Sequence, residues 1–134
     1  MLQECKVKIK SKISGESDCM EFLSSGKFDT ENGVTTIEYE EADRTGMNCV
    51  SRVVVAGDIV TLNRIGDTSS TMVFEKGKSF SGAIITAYGA LPLSIYSHKV
   101  DFKVEKHKML LELLYTIDVN DESSLNELSL TADM

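Results

Sequence analysis

Residues 86–104 read TAYGALPLSIYSHKVDFKV and hold the chain's one proline together with a Tyr88-Gly89 step. Leu91, Leu93 and Ile95 occupy one parity of a period-two alternation, whereas Val100, Phe102 and Val104 occupy the other. Side chains of a strand alternate between its two faces. Keeping both sets on one face therefore requires the register to change between Ile95 and Val100. A β-bulge near residues 97–99 does this at the cost of one residue, and bulges belong to curved sheets.

The same alternation recurs on both sides of this stretch. Upstream, residues 5–14 point Val7, Ile9 and Ile13 one way and Lys6, Lys8, Lys10 and Lys12 the other. Residues 19–29 place Met20, Phe22 and Phe28 inward, with Ser24 and Gly26 between them, and Gly26 marks a bend in the wall. After a hairpin loop at residues 30–33 whose Gly33 takes the left-handed position, residues 34–41 carry Ile37, Tyr39 and Glu41 on one side. Residues 47–56 form a further strand whose apolar run Val53-Val54-Val55 leaves its facing open. Strands follow over residues 59–65, with Val60, Leu62 and Arg64 on one face, over residues 70–75, and over residues 79–87. Turns separate them at residues 15–18, 43–46, 57–58, 66–69 and 76–78.

Downstream, residues 105–108 form a charged hairpin tip. Residues 109–119 fit both a helical and a strand spacing; a strand is the reading taken, because the preceding strand needs a partner and the connection is hairpin-short. After a turn at residues 120–123, residues 125–132 make the last strand through Leu128 and Leu130. About ten strands joined by short turns in one small domain escape unpaired edges most simply by closing. The expectation is an all-β antiparallel meander forming a barrel of about eight to ten strands, its interior filled by side chains or open to one small ligand.

Composition narrows the function classes. With 134 residues, 42% apolar and 26% charged, the chain reads as a single folded domain spanning residues 1–134. A net charge of −7 disfavours nucleic acid and anionic membrane partners, and the lysine stripe of residues 6–12 reads as a solvated outer face. Three cysteines, Cys5, Cys19 and Cys49, show no metal-ligand spacing and point to a reduced compartment. No signal peptide or 18-residue apolar run is present, so a cytoplasmic location is expected.

Five segments in order, IEYEEAD (37–43), LNRIG (62–66), TMVFEKG (71–77), TAYGALPLSI (86–95) and ELLYTIDV (112–119), resemble the YwiB-like family of small bacterial proteins of unknown function. The resemblance runs from Val7 to about Leu130 and rests on Tyr39, Glu41, Arg64, Gly66, Tyr88, Gly89 and Tyr115. It implies a calycin-like barrel, related in shape to lipocalins and fatty-acid-binding proteins, in a cytoplasmic bacterial protein. It implies no activity. Lipocalins carry a Gly-x-Trp near the start, and this chain has no tryptophan.

Among chemistry-bearing residues, Arg64 and Glu41 fall at apolar-side positions. Arg64 either anchors a ligand carboxylate or phosphate inside the barrel, or closes one end by pairing with Glu41 or with backbone carbonyls. Tyr39, Tyr88, Tyr96 and Tyr115 offer rings with an orienting hydroxyl, or serve as packing. His98 and His107 do not converge, no nucleophile elbow or phosphate loop is present, and no metal or cofactor is expected. The leading expectation is a barrel that binds a small apolar or amphipathic molecule through Arg64, Glu41, Tyr39, Tyr88 and Tyr115. The alternative is a filled barrel that acts through its surface as a regulatory or assembly module, as a homodimer, with an enzyme built on Glu41 and Arg64 as a third.

Overall fold

The computed structural model describes residues 3–13, 20–42, 48–66, 69–119 and 121–134, with only the backbone at residues 20, 41, 42, 48 and 49. Ten strands follow one another: β1 (Gln3–Ile13), β2 (Met20–Glu31), β3 (Val34–Ala42), β4 (Asn48–Ala56), β5 (Ile59–Gly66), β6 (Ser69–Glu75), β7 (Ser79–Thr86), β8 (Gly89–Glu105), β9 (Lys108–Val119) and β10 (Glu122–Asp133). Each pairs antiparallel with the next, and β10 returns to β1 from Lys6↔Asp133 to Ile13↔Asn126, so the sheet closes into a barrel. Closure leaves β1 and β10 with no free edge, which is the problem the lysine stripe alone would otherwise have to manage.

The bulge stands as read, but Leu91 and Val104, at the two ends of the expected apolar sets, are exposed beyond the core. In β8 the register against β9 shifts between Ser97 and Lys99, Ser97 pairing with Tyr115 and Lys99 with Leu114. His98 is the extra residue, and on either side of it Leu93 and Ile95, then Val100 and Phe102, all turn inward. β9 is a strand throughout, with Met109, Leu111 and Leu113 buried. The open facing of β4 is settled by its cross-strand neighbours: Val53 and Val55 are buried opposite Leu62 and Val60, which leaves Val50, Arg52 and Val54 outward.

Turn chemistry matches the connections it was read from. Asn32 (φ 52) and Gly33 (φ 80) form a two-residue hairpin of the kind that needs positive φ at both positions. Tyr88 belongs to the two-residue β7–β8 turn. There the Thr86 hydroxyl accepts the Tyr88 N–H at 3.1 Å and donates to the Gly89 carbonyl at 2.9 Å, while Gly89 takes φ 127. Gly26 serves contact rather than conformation: a Cβ there would stand 2.7 Å from the Glu38 carbonyl oxygen. The turns expected at residues 15–18 and 43–46, and residues 67, 68 and 120 of two others, lie outside the described residues, as does Cys19.

Burial is uneven along the barrel axis. At the end where even-numbered strands finish, here the floor, Val7, Val60, Phe74, Met109 and Ala132 are no more than 1% exposed. Toward the opposite end, the rim, where odd-numbered strands finish, the inward Phe22, Ile84, Ile117, Val119 and Leu128 are only partly buried, although Leu93 beside Val119 is buried. On the floor side Phe80 and Phe102 are also only partly buried. The core is thus a packing of aliphatic and aromatic side chains whose most fully enclosed members, Phe74, Met109 and Ala132, lie toward the floor. It also holds the buried free thiol of Cys5, whose pKa burial pushes up.

Candidate functional site: a polar row inside the barrel

Inward parity on β3, β4 and β5 brings three polar side chains into lateral register. Tyr39 pairs with Ser51, Ser51 with Arg64, and Arg64 with Ser70. Tyr39 and Ser51 are buried and Arg64 is partly so, its Nε shielded from solvent. These residues sit one step rimward of the aliphatic layer formed by Ile37, Val53, Leu62 and Met72, so they lie where the packed floor gives way to the half-buried rim.

Tyr115, on β9, completes the group. Its ring meets Phe74 edge-on at 4.8 Å and 61°. Burial pushes its phenol above the usual range, and the positive charge of Arg64 pulls in the opposite direction. The guanidinium therefore lies within electrostatic reach of the Tyr115 hydroxyl. Across the β8–β9 ladder from Tyr115, the Ser97 hydroxyl is buried with no hydrogen-bond partner, while the Ser97 backbone is tied to the β6–β7 turn through Gly77 N–H (2.8 Å) and the Lys78 carbonyl (3.2 Å). Phe22 approaches Tyr39 at 6.5 Å between ring centroids. The arrangement offers a cation, phenols and hydroxyls at one end of an oily interior, which is what recognition of an amphipathic molecule requires.

Of the residues singled out from sequence, Tyr39 and Arg64 fall on one inner row to either side of Ser51, and the charge of Arg64 acts on Tyr115. Glu41 shares the parity of Tyr39 two residues on and pairs through its backbone with Cys49; the side chains of both lie outside the description. Tyr88 is fully exposed on the rim turn, away from the interior. Tyr96 faces outward and packs edge-on against His98 at 4.9 Å, and His98 Nε2 lies 2.7 Å from Thr116 Oγ1. His107 sits at the floor tip of the β8–β9 hairpin, where its carbonyl accepts the Met134 N–H. Ser51 and Ser97 were not anticipated, since a small hydroxyl on an apolar strand carries no distinctive pattern. Parity could have found Ser51 once the facing of Val53 was known.

A second feature lies on the wall. A concavity of about 880 Å³ spans β1 to β4 and the C-terminal residues, bordered by Cys5, Gly26 and Tyr39 from the inner parity and by Lys27, Glu38 and Glu40 from the outer.

Fold and site together define a closed, ten-stranded antiparallel barrel with an inward polar row above an aliphatic floor. The chain belongs to the family described as Domain of unknown function (DUF1934), whose model matches residues 6–131. Among solved structures it is similar to the crystal structure of ywiB protein from Bacillus subtilis. The TM-score is 0.88 at 19% identity, over 98% of this chain and 92% of that one. This likeness bears on fold alone, and the family relationship read from the five segments holds. No curated protein matches the chain.

Proposed function

We propose that the barrel binds one small amphipathic molecule with an anionic head, a carboxylate or phosphate, held by Arg64 and oriented by Tyr115 and Tyr39. The observation that carries this is the placement of Arg64: a side chain on the inner face of β5, in register with Ser51 and, through it, Tyr39, one step rimward of the Ile37–Val53–Leu62–Met72 layer. Use of the barrel in the manner of a lipocalin is supported by shape, which does not by itself dictate function. The proposed setting is the cytoplasm, in keeping with the free thiol of Cys5.

A charge-assisted hydrogen bond contributes roughly 1.5–3 kcal/mol, so Arg64→Gln should weaken binding of decanoate by about tenfold to a hundredfold. Thermal shift measures this. Wild type should melt higher with decanoate, Arg64→Gln should respond little, and both should respond alike to decanol, which has no charge for Arg64 to engage. Equal responses of the two proteins to decanoate would remove Arg64 from the site. No response of wild type to any aliphatic carboxylate or phosphate would remove the site.

A further inference from the structure

Among the described residues, the strand ladder of this barrel is interrupted in two places. In the first, β6 and β7 pair only at Ser69↔Ile85 and Ser70↔Ile84. Below those pairs the Phe80 ring lies over Gly82, where a Cβ would meet it at 2.9 Å, and the Ser97 backbone is bonded to Gly77 and Lys78. That interruption is filled.

The second is not. β2 and β3 pair from Glu31↔Val34 to Gly26↔Tyr39, and there the register ends among the described residues. Both strands nevertheless run on toward the rim, β2 against β1 as far as Met20 and β3 against β4 as far as Ala42. Where Ser25 and Glu40 would be the next pair, the Ser24 hydroxyl reaches across the seam instead, 2.9 Å from the Glu40 carbonyl and 3.1 Å from its own neighbour's at Ser25. The 880 Å³ concavity lies against this seam as a hollow in the outer wall, lined mostly by outward residues such as Lys6, Ser25, Lys27, Glu38 and Glu40, with the backbone of Gly26 at its base. The unpaired seam has a fixed lower end, because at Gly26 the two strands approach too closely to admit even a Cβ. Tyr39 stands at that lower end and is the first member of the Tyr39–Ser51–Arg64 row.

We infer that the β2–β3 seam is the portal through which a ligand reaches the polar row, with the Ser24–Glu40 hydrogen bond as its latch. The inference rests on the interior site proposed above. An exposed side-chain hydrogen bond exchanges readily with water, whereas a strand ladder opens only as a unit, so the seam is the part of the wall that yields first. An added strand does not fit: it would need the two backbones about 10 Å apart, and one serine side chain spans the gap.

The test is kinetic and uses the whole chain with a dansyl-labelled undecanoate as probe, its binding followed by stopped-flow fluorescence. Ser25→Cys with Glu40→Cys places thiols on the two outward positions next above the last pair. Oxidised, and with the cross-link verified by mass spectrometry, this protein should bind and release the probe about tenfold more slowly than wild type at little changed affinity, and dithiothreitol should restore both rates. Ser24→Ala, which removes the latch without a cross-link, should speed both rates together, and it decides the matter if the cysteine pair does not cross-link. Probe exchange at wild-type rates in the oxidised protein, or in Ser24→Ala, would overturn the portal while leaving the interior site intact. Absence of probe binding by wild type at equilibrium would instead overturn the site, and the portal with it.

Discussion

Tyr115 is the residue at which packing and electrostatics in this barrel oppose each other. Burial disfavours its phenolate more than the neighbouring Arg64 charge favours it, so the folded state holds the neutral phenol more tightly than the unfolded chain does. A group whose pKa is raised on folding lends stability that is fully present below the unfolded value, about 10 for tyrosine, and is lost as pH rises through the folded value. Wild type should therefore lose melting temperature between about pH 8 and 11 more steeply than Tyr115→Phe, which keeps the edge contact with Phe74 but cannot ionise. Parallel melting curves for the two proteins across that range would show that the phenol is not held neutral by its surroundings. Arg64, Tyr39 and Tyr115 were legible because strict alternation assigns a side chain to a face regardless of its polarity. Tyr88 and Tyr96 were not distinguishable from them, since an aromatic ring is equally at home in a core, on an outer wall or in a turn.

At the scale of the element, alternation and turn residues together identified every strand, and the bulge in β8 was read from two apolar sets of opposite parity. The facing of β4 was unreadable for a complementary reason: three consecutive valines satisfy either face, and only the neighbours on β3 and β5 decide. The bulge makes a prediction that a regular strand does not. Deleting His98 removes the extra residue and leaves Val100 and Phe102 on the inner face in plain alternation. The loss is confined to contacts with Tyr96 and Thr116 on the outer wall. Such a loss should cost about 1 kcal/mol, or roughly 4 °C in melting temperature. Deleting Glu112 from the unbulged partner β9 would instead turn Leu113, Tyr115, Ile117 and Val119 outward. Exposing a fully buried side chain such as Leu113 costs about 1.5–3 kcal/mol, and with the partly buried other three the loss is a large share of the stability of a domain, about 5–15 kcal/mol. Circular dichroism and thermal melts separate the two: the His98 deletion should melt cooperatively as a β protein and the Glu112 deletion should not.

For the molecule as a whole, the consequence of a closed meander is that every strand is bonded to its sequence neighbours and one pair alone, β1 with β10, joins the far ends of the chain. Any ring cut once has one such pair, wherever the cut falls. Joining residues 134 and 3 through a short Gly/Ser linker is feasible because Lys6 and Asp133 already face each other, and the chain can be reopened between Gly57 and Asp58, an exposed two-residue turn on the floor. The closing pair becomes β4 with β5 and β1–β10 becomes a hairpin, so the mean sequence separation of contacts hardly changes. Since folding rate follows that separation more than it follows which strands meet last, the permutant should fold within about tenfold of the native rate and melt within a few degrees of it. The cut is at the floor and the polar row lies rimward of it, so decanoate should still raise the melting temperature. A chain ending before β10 has the opposite fate: β1 and β9 become open edges, and Val7, Ile9, Leu111 and Leu113 lose the strand that lies beside them. It should show no cooperative melt. A permutant that fails to fold, or a truncated chain that melts like the native one, would mean that closure by β1 and β10 is not what holds the ring together.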